Sequence, residues 1–313
     1  YHYDSIGKLV YTVSGTSRTD VESLSGITPE NVQTLTEADI DTLLPAGLSL
    51  AVYDTINNRV DHVWARSDSG EATFTQYAYD TTGDLVYTIT GPTRIAVEEV
   101  TGLTVGTVAS LTAAEVETML GEGMSIAVYD PEGADIDHVW ARTEAGDITF
   151  TGYYYDNSGF LLYTLTGSSR ETVEAVPEFS AQELSSMSET DIQTYLESDM
   201  SLAVYDVANE RVDHVWSLNE SGELSFTQYT YSSGGQLVFT ISGNTRTAVE
   251  NVSGITADNA AALREEDLDA LLNGMSLAVY DTDENRVDHV WARDDSGDLT
   301  FTSYNYDTLG KLV

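Results

Sequence analysis

The chain has 313 residues and a formal net charge of −39, from 52 Asp and Glu against 13 Lys and Arg. A field of that sign repels nucleic acid and anionic membrane surfaces and excludes both as partners. With no Cys there are no disulfide staples, and no run approaches the ~18 to 20 apolar residues of a membrane span.

The helical signals come first in chain order. Arg18 to Leu24 reads as a short helical turn with Val21 and Leu24 apolar. Thr28-Pro29-Glu30 opens a second, with Pro at the first helical position. Thr36 opens a third as N-cap, with Asp39 three residues on in a near capping box and Ile40, Leu43 and Leu44 on one face. Strands follow, most clearly at Met124 to Asp130, Ile136 to Arg142, Asp147 to Tyr155 and Phe160 to Thr166. Short β-branched and aromatic runs between Gly, Asn and Asp turns predict an antiparallel meander.

These elements recur. Tyr1, Tyr77, Tyr153, Tyr229 and Tyr304 hold the same place at spacings of 76, 76, 76 and 75 residues. Asp61-His62-Val63-Trp64 returns at Asp137, Asp213 and Asp288. A regular period of this length marks an array of supersecondary units. The repeats are 1–76, 77–152, 153–228 and 229–303, and 304–313 begins a fifth. The fold class is therefore α+β: tandem repeats, each a four-stranded antiparallel β-meander plus two or three short helices. Without disulfides a 76-residue unit has a marginal core, so neighbouring repeats are expected to pack through their helical segments.

Tyr1 to Val10 and Tyr304 to Val313 share seven of ten residues, including the only two lysines, Lys8 and Lys311. A closed four-bladed ring would leave one of these ends surplus. An open array, or a head-to-tail polymer exchanging strands through Tyr1, Tyr3, Leu9, Val10, Tyr304, Tyr306, Leu312 and Val313, would not. Lacking an initial Met or signal peptide, the chain reads as a processed or internal segment. The acidic, lysine-poor composition resembles that of salt-adapted microbes, where a short Debye length removes self-repulsion; an ordinary acidic secreted protein is the alternative.

Ser67-Asp68-Ser69-Gly70, followed by Tyr77, Tyr79, Asp80, Gly83 and Leu85, resembles the YD-repeat of RHS/teneurin-like surface proteins, as do Tyr153, Tyr155, Asp156, Gly159 and Leu161. The likeness covers about 25 of every 76 residues. Ser232 replaces the Asp in the fourth copy, and helices follow each motif where the family stacks its motifs about every 20 residues into a β-spiral. The resemblance implies an extracellular or cell-surface setting.

Each candidate site has a structural alternative. Asp beside His suggests general base chemistry, but strand alternation should point Asp61 away from His62 and Trp64. The structural reading is a packed Trp braced by a hydrogen-bonded His at His62, Trp64, His138, Trp140, His214, Trp216, His289 and Trp291, with carbohydrate stacking on Trp as the rival. Arg18, Arg94, Arg170 and Arg246 each precede a Glu by four residues, a weak orientation. A second partner is expected at Asp61, Asp137, Asp213 or Asp288, with anion binding as the other reading. Asp281, Asp283, Asn285 and Asp288 offer alternating oxygens for weak calcium binding, and hairpin-turn chemistry explains the same residues. No catalytic residue and no cofactor is expected. The sequence points to a non-enzymatic structural repeat protein, a fibre, sheath or adhesin stalk whose partner is itself. A propeller-like module binding glycans or surface proteins is the alternative.

Overall fold

In the computed structural model, residues 1–313 are described apart from 132–134, 269–270, 283–285, 294–295, 307–311 and 313. Two units emerge, Tyr1–Phe150 and Thr151–Tyr306, the division falling inside a strand.

The first unit contains β1 (His2–Tyr3), β2 (Leu9–Gly15), β3 (Leu48–Asp54), β4 (Arg59–Arg66), β5 (Ala72–Tyr79), β6 (Leu85–Gly91), β7 (Met124–Tyr129) and β8 (Ile136–Arg142), and it ends within β9 (Ile148–Tyr155). From β1 to β8 each strand pairs antiparallel with the next. Helical inserts interrupt the meander after β2, with α1 (Arg18–Ser23) and α2 (Glu37–Leu43), and after β6, with α3 (Arg94–Glu98) and α4 (Ala113–Met119).

The period-2 pattern explains the core. Along β3, Leu48, Leu50 and Val52 are buried while Ser49 and Ala51 are half-buried. Trp64 and Phe74 extend the same inner face, and Val32, Leu35, Ile40 and Leu44 of the first insert are buried with them. Full burial of a side chain such as Ile40 or Leu44 is worth about 1.5–3 kcal/mol. The expected capping box of α2 is present, with Thr36 and Asp39 satisfying each other's backbone amides. The turn expected to start at Pro29 is different. Asn31 Oδ1 accepts from Thr28 N at 2.8 Å and its Nδ2 donates to the Gly26 carbonyl at 2.7 Å, holding a turn there. Only Val32–Thr34 is helical, as a single 3-10 turn.

The second unit repeats this plan with β10 (Leu161–Gly167), β11 (Ser201–Asp206), β12 (Arg211–Leu218), β13 (Leu224–Tyr231), β14 (Leu237–Gly243), β15 (Ser276–Asp281), β16 (Arg286–Arg293) and β17 (Leu299–Ser303). Neighbours again pair antiparallel in chain order. Its inserts carry α5 (Arg170–Glu174), α6 (Ala181–Ser186), α7 (Glu189–Tyr195), α8 (Arg246–Glu250) and α9 (Glu265–Leu268).

The ladder continues across repeat boundaries. β5 pairs with β6 from Phe74↔Gly91 to Tyr79↔Leu85, and β13 pairs with β14 from Phe226↔Gly243 to Tyr231↔Leu237. Consecutive repeats thus share one hydrogen-bonded meander and do not separate into the blades of a propeller. Within each unit the meander is open: among the described residues no pairing joins its outermost strands.

Candidate functional site

The Asp-His-x-Trp motif lies on the second strand of each meander, and there the expected geometry fails. His62 Nδ1–H donates to Asp61 Oδ2 at 2.7 Å, and the same contact recurs at 2.6, 2.7 and 2.6 Å for His138, His214 and His289. The register explains it. Val52 pairs with His62 and Tyr53 with Val60, so Asp61 is skipped as the extra residue of a β-bulge. Asp137, Asp213 and Asp288 are skipped in the same way. A bulge sets two successive residues opposite one and breaks the alternation that would have parted them. The hydrogen bond from His214 is the main reason the Asp213 carboxyl lies below the usual range; burial opposes it, and the charges of His214, Arg246 and Arg211 add less.

The other ring nitrogen is sealed. Nε2 of His62, His138 and His214 is buried and makes no hydrogen bond among the described residues, as is true of Nε1 of all four Trp. The His62 ring lies 5.1 Å from the ring of Phe74, and Trp64 packs edge-on to that same ring at 4.8 Å. Trp64, Trp140 and Trp216 are fully buried, and Trp291 is half-buried. None of the three buried rings offers a face to a sugar.

The recurring arginines lie at repeat joints. Arg94 opens α3, where its backbone N–H donates to Glu37 Oε1 at 2.6 Å and its Nε to Glu98 at 2.6 Å. Its Nη1 donates to the carbonyls of Gln33 at 2.9 Å and Leu35 at 3.5 Å, in the insert of the preceding repeat. Arg246 makes the equivalent bonds to Glu189, Glu250, Ser185 and Met187. Arg170 pairs with Glu174 at 2.6 Å. Arg18 pairs with Glu22 at 2.8 Å, with its side chain 88% exposed. For Arg94 and Arg246 the second partner is therefore a pair of backbone carbonyls, not the strand Asp; Arg246 reaches Asp213 only through space. Carbonyls at the end of an insert turn have no partner within it, and a planar guanidinium with several donors can serve two together.

Two further arginine positions escaped the sequence reading. Arg66 donates to the carbonyls of Asp41, Leu44 and Gly70, closing the C-terminal end of α2, and Arg142 does the same for Glu117, Leu120 and Gly146. Arg59, Arg211 and Arg286 stack on Tyr79, Tyr231 and Tyr306, each at 4.3 Å. The available signal was that these arginines recur at fixed places in a chain with few cations.

The calcium candidates divide. Asp288 accepts from His289, Asp281 ends β15, and Asp283 and Asn285 lie outside the described residues. In the equivalent turn of the first repeat, Asn57 Nδ2 donates to Asp54 at 2.6 Å. Among the described residues no three His, Asp or Glu side chains cluster to hold a metal. The proposed assembly residues differ in exposure. Tyr1, Tyr3 and Leu312 are exposed, whereas Val10 is buried in the core. Leu9 pairs with Tyr3, Tyr304 N donates to the Asp288 carbonyl at 2.9 Å, and Tyr306 bridges to Leu312. Val313 lies outside the described residues.

No protein-family model and no curated protein sequence matches this chain. Among solved structures it is similar to the TcdB2–TccC3–Cdc42 complex, at 12% identity and a TM-score of 0.26, over 99% of this chain and 15% of that one. The TcdB2–TccC3 structure gives the same values. The Photorhabdus luminescens Tc holotoxin pore with a TccC3 mutation gives 11% identity and a TM-score of 0.24, over 96% of this chain and 14% of that one. The chain thus spans about 15% of the length of the chains it matches.

Proposed function

We propose that this chain is a non-enzymatic structural repeat protein of the cell surface or extracellular space, part of a fibre, sheath or stalk built by repeat packing. The repeat joint carries this reading. β5 and β6 continue one ladder from repeat to repeat, and Arg94 clamps the preceding insert beside it. The same pair of features returns at β13, β14 and Arg246. A joint that recurs unchanged can be extended indefinitely without a new interface. The YD-like hairpins favour the surface setting, and the charge of −39 favours a saline one. Glycan capture through repeated Trp loses its contact faces to burial.

Negative-stain electron microscopy at low and at molar salt tests this reading. Rods or filaments are expected in molar salt, where self-repulsion is screened. Compact single particles under both conditions overturn it.

A further inference from the structure

Within the second unit, the third and fourth repeats differ on the hairpin side of the sheet, and the second repeat, with Asp84 at the position of Lys8, offers no side-chain donor there either. In the first repeat the Lys8 ammonium donates to the Thr55 carbonyl at 2.5 Å, tying one hairpin turn to the next. In the fourth, Gln236 Nε2 donates to the Thr282 carbonyl at 2.8 Å. The third repeat has Phe160 and Val207 at these two positions, and Phe160 has no donor to offer. In place of the tie lies an open cavity of about 280 Å³, lined by Tyr155, Phe160, Leu161, Tyr205, Val207 and Glu210.

The lining combines three aromatic rings and two aliphatic side chains with one carboxylate. Glu210 stands in the left-handed region at φ 51°, where the first repeat has Asn58 at φ 55°. Asn enters that region readily and Glu does not, and strain of this kind gathers at binding sites. Tyrosine rings of this sheet accept guanidinium groups: Tyr79, Tyr231 and Tyr306 each carry an Arg at 4.3 Å.

We propose that this cavity binds an arginine side chain of a basic partner peptide. The guanidinium stacks on the tyrosine rings and donates to the Glu210 carboxylate, while the methylene stem covers Phe160 and Val207. Arginine fits better than lysine because its planar, weakly hydrated cation can stack and pair at once. The chain's charge of −39 steers basic peptides toward it. The inference does not depend on assembly into fibres.

The test is an NMR titration of the whole chain with acetyl-Gly-Arg-Gly-amide, at about 0.5 M salt to screen long-range attraction. Saturable shifts at Tyr155, Phe160, Tyr205 and Val207 are expected, with the citrulline and lysine analogues at least about tenfold weaker. Phe160→Lys, which restores the residue of the first repeat, and Glu210→Asn should each weaken binding about tenfold with unchanged circular dichroism. Equal binding of citrulline or lysine, indifference to both substitutions, or no saturation by about 10 mM peptide overturns the proposal.

Discussion

Asp61 and His62 are successive residues of one strand, yet their side chains meet at 2.7 Å because Asp61 is the extra residue of a bulge. The consequence is energetic. His62 is buried, and a buried ring N–H needs an acceptor. The bulge supplies a carboxylate that remains half in water, with 49% of its side chain exposed. Four copies of the bulge give four such braces under the Trp layer.

Asp213→Ala leaves the His214 Nδ1–H buried without its acceptor, and a loss of about 1–3 kcal/mol is expected. Asp213→Asn keeps an acceptor and should cost clearly less. Urea denaturation of the two variants decides the matter. An equal loss from both would show that charge, and not the hydrogen bond, is what counts.

Arg94→Ala removes two carbonyl contacts at the repeat joint, and about 2–3 kcal/mol of destabilisation is expected. Arg18→Ala changes the same side chain where it is exposed, and should stay within about 0.5 kcal/mol. Comparable losses in the two denaturation curves would remove the joint as the explanation.

The capping-box carboxylates make the fold acid-sensitive in a defined direction. Asp39, Glu183 and Asp191 lie below the usual range chiefly through side-chain hydrogen bonds with Thr36, Ser180 and Ser188, and Glu115 chiefly through the Thr112 backbone N–H. With the folded value below the unfolded one, the stabilisation is complete above about pH 5 and disappears as pH falls through the folded values. Thr36→Ala combined with Ser188→Ala should therefore flatten the decline in melting temperature below that pH. A wild-type slope in the double variant would rule the caps out as its source.

Gly243 faces Phe226 across the β13–β14 ladder, and a Cβ added there would lie 2.7 Å from Met275 Cγ and 3.1 Å from Val249 Cγ2. Gly243→Ala should cost about 1–3 kcal/mol through overpacking. Gly106→Ala has only Thr104 Oγ1 nearby, at 3.9 Å, and serves as the neutral control. Thermal melts of the pair suffice, and a stable Gly243→Ala would mean that the insert yields easily.

The repeat, the antiparallel meander and the capping box at Thr36 were legible in the amino-acid order because each is a local signal. A period-2 run, a turn residue or a Thr with an acid three residues on acts within one hydrogen-bonded turn or hairpin. Tertiary structure decided the rest. Whether Asp61 meets His62 depends on register with β3, and a one-residue slip in pairing leaves no mark on the strand's own residues. Arg94 finds its carbonyl partners 59 and 61 positions away, a distance no helical or strand period spans. The cavity beside Phe160 lies where two hairpin turns that are separate in sequence come together, and Phe160 offers no donor to close the gap.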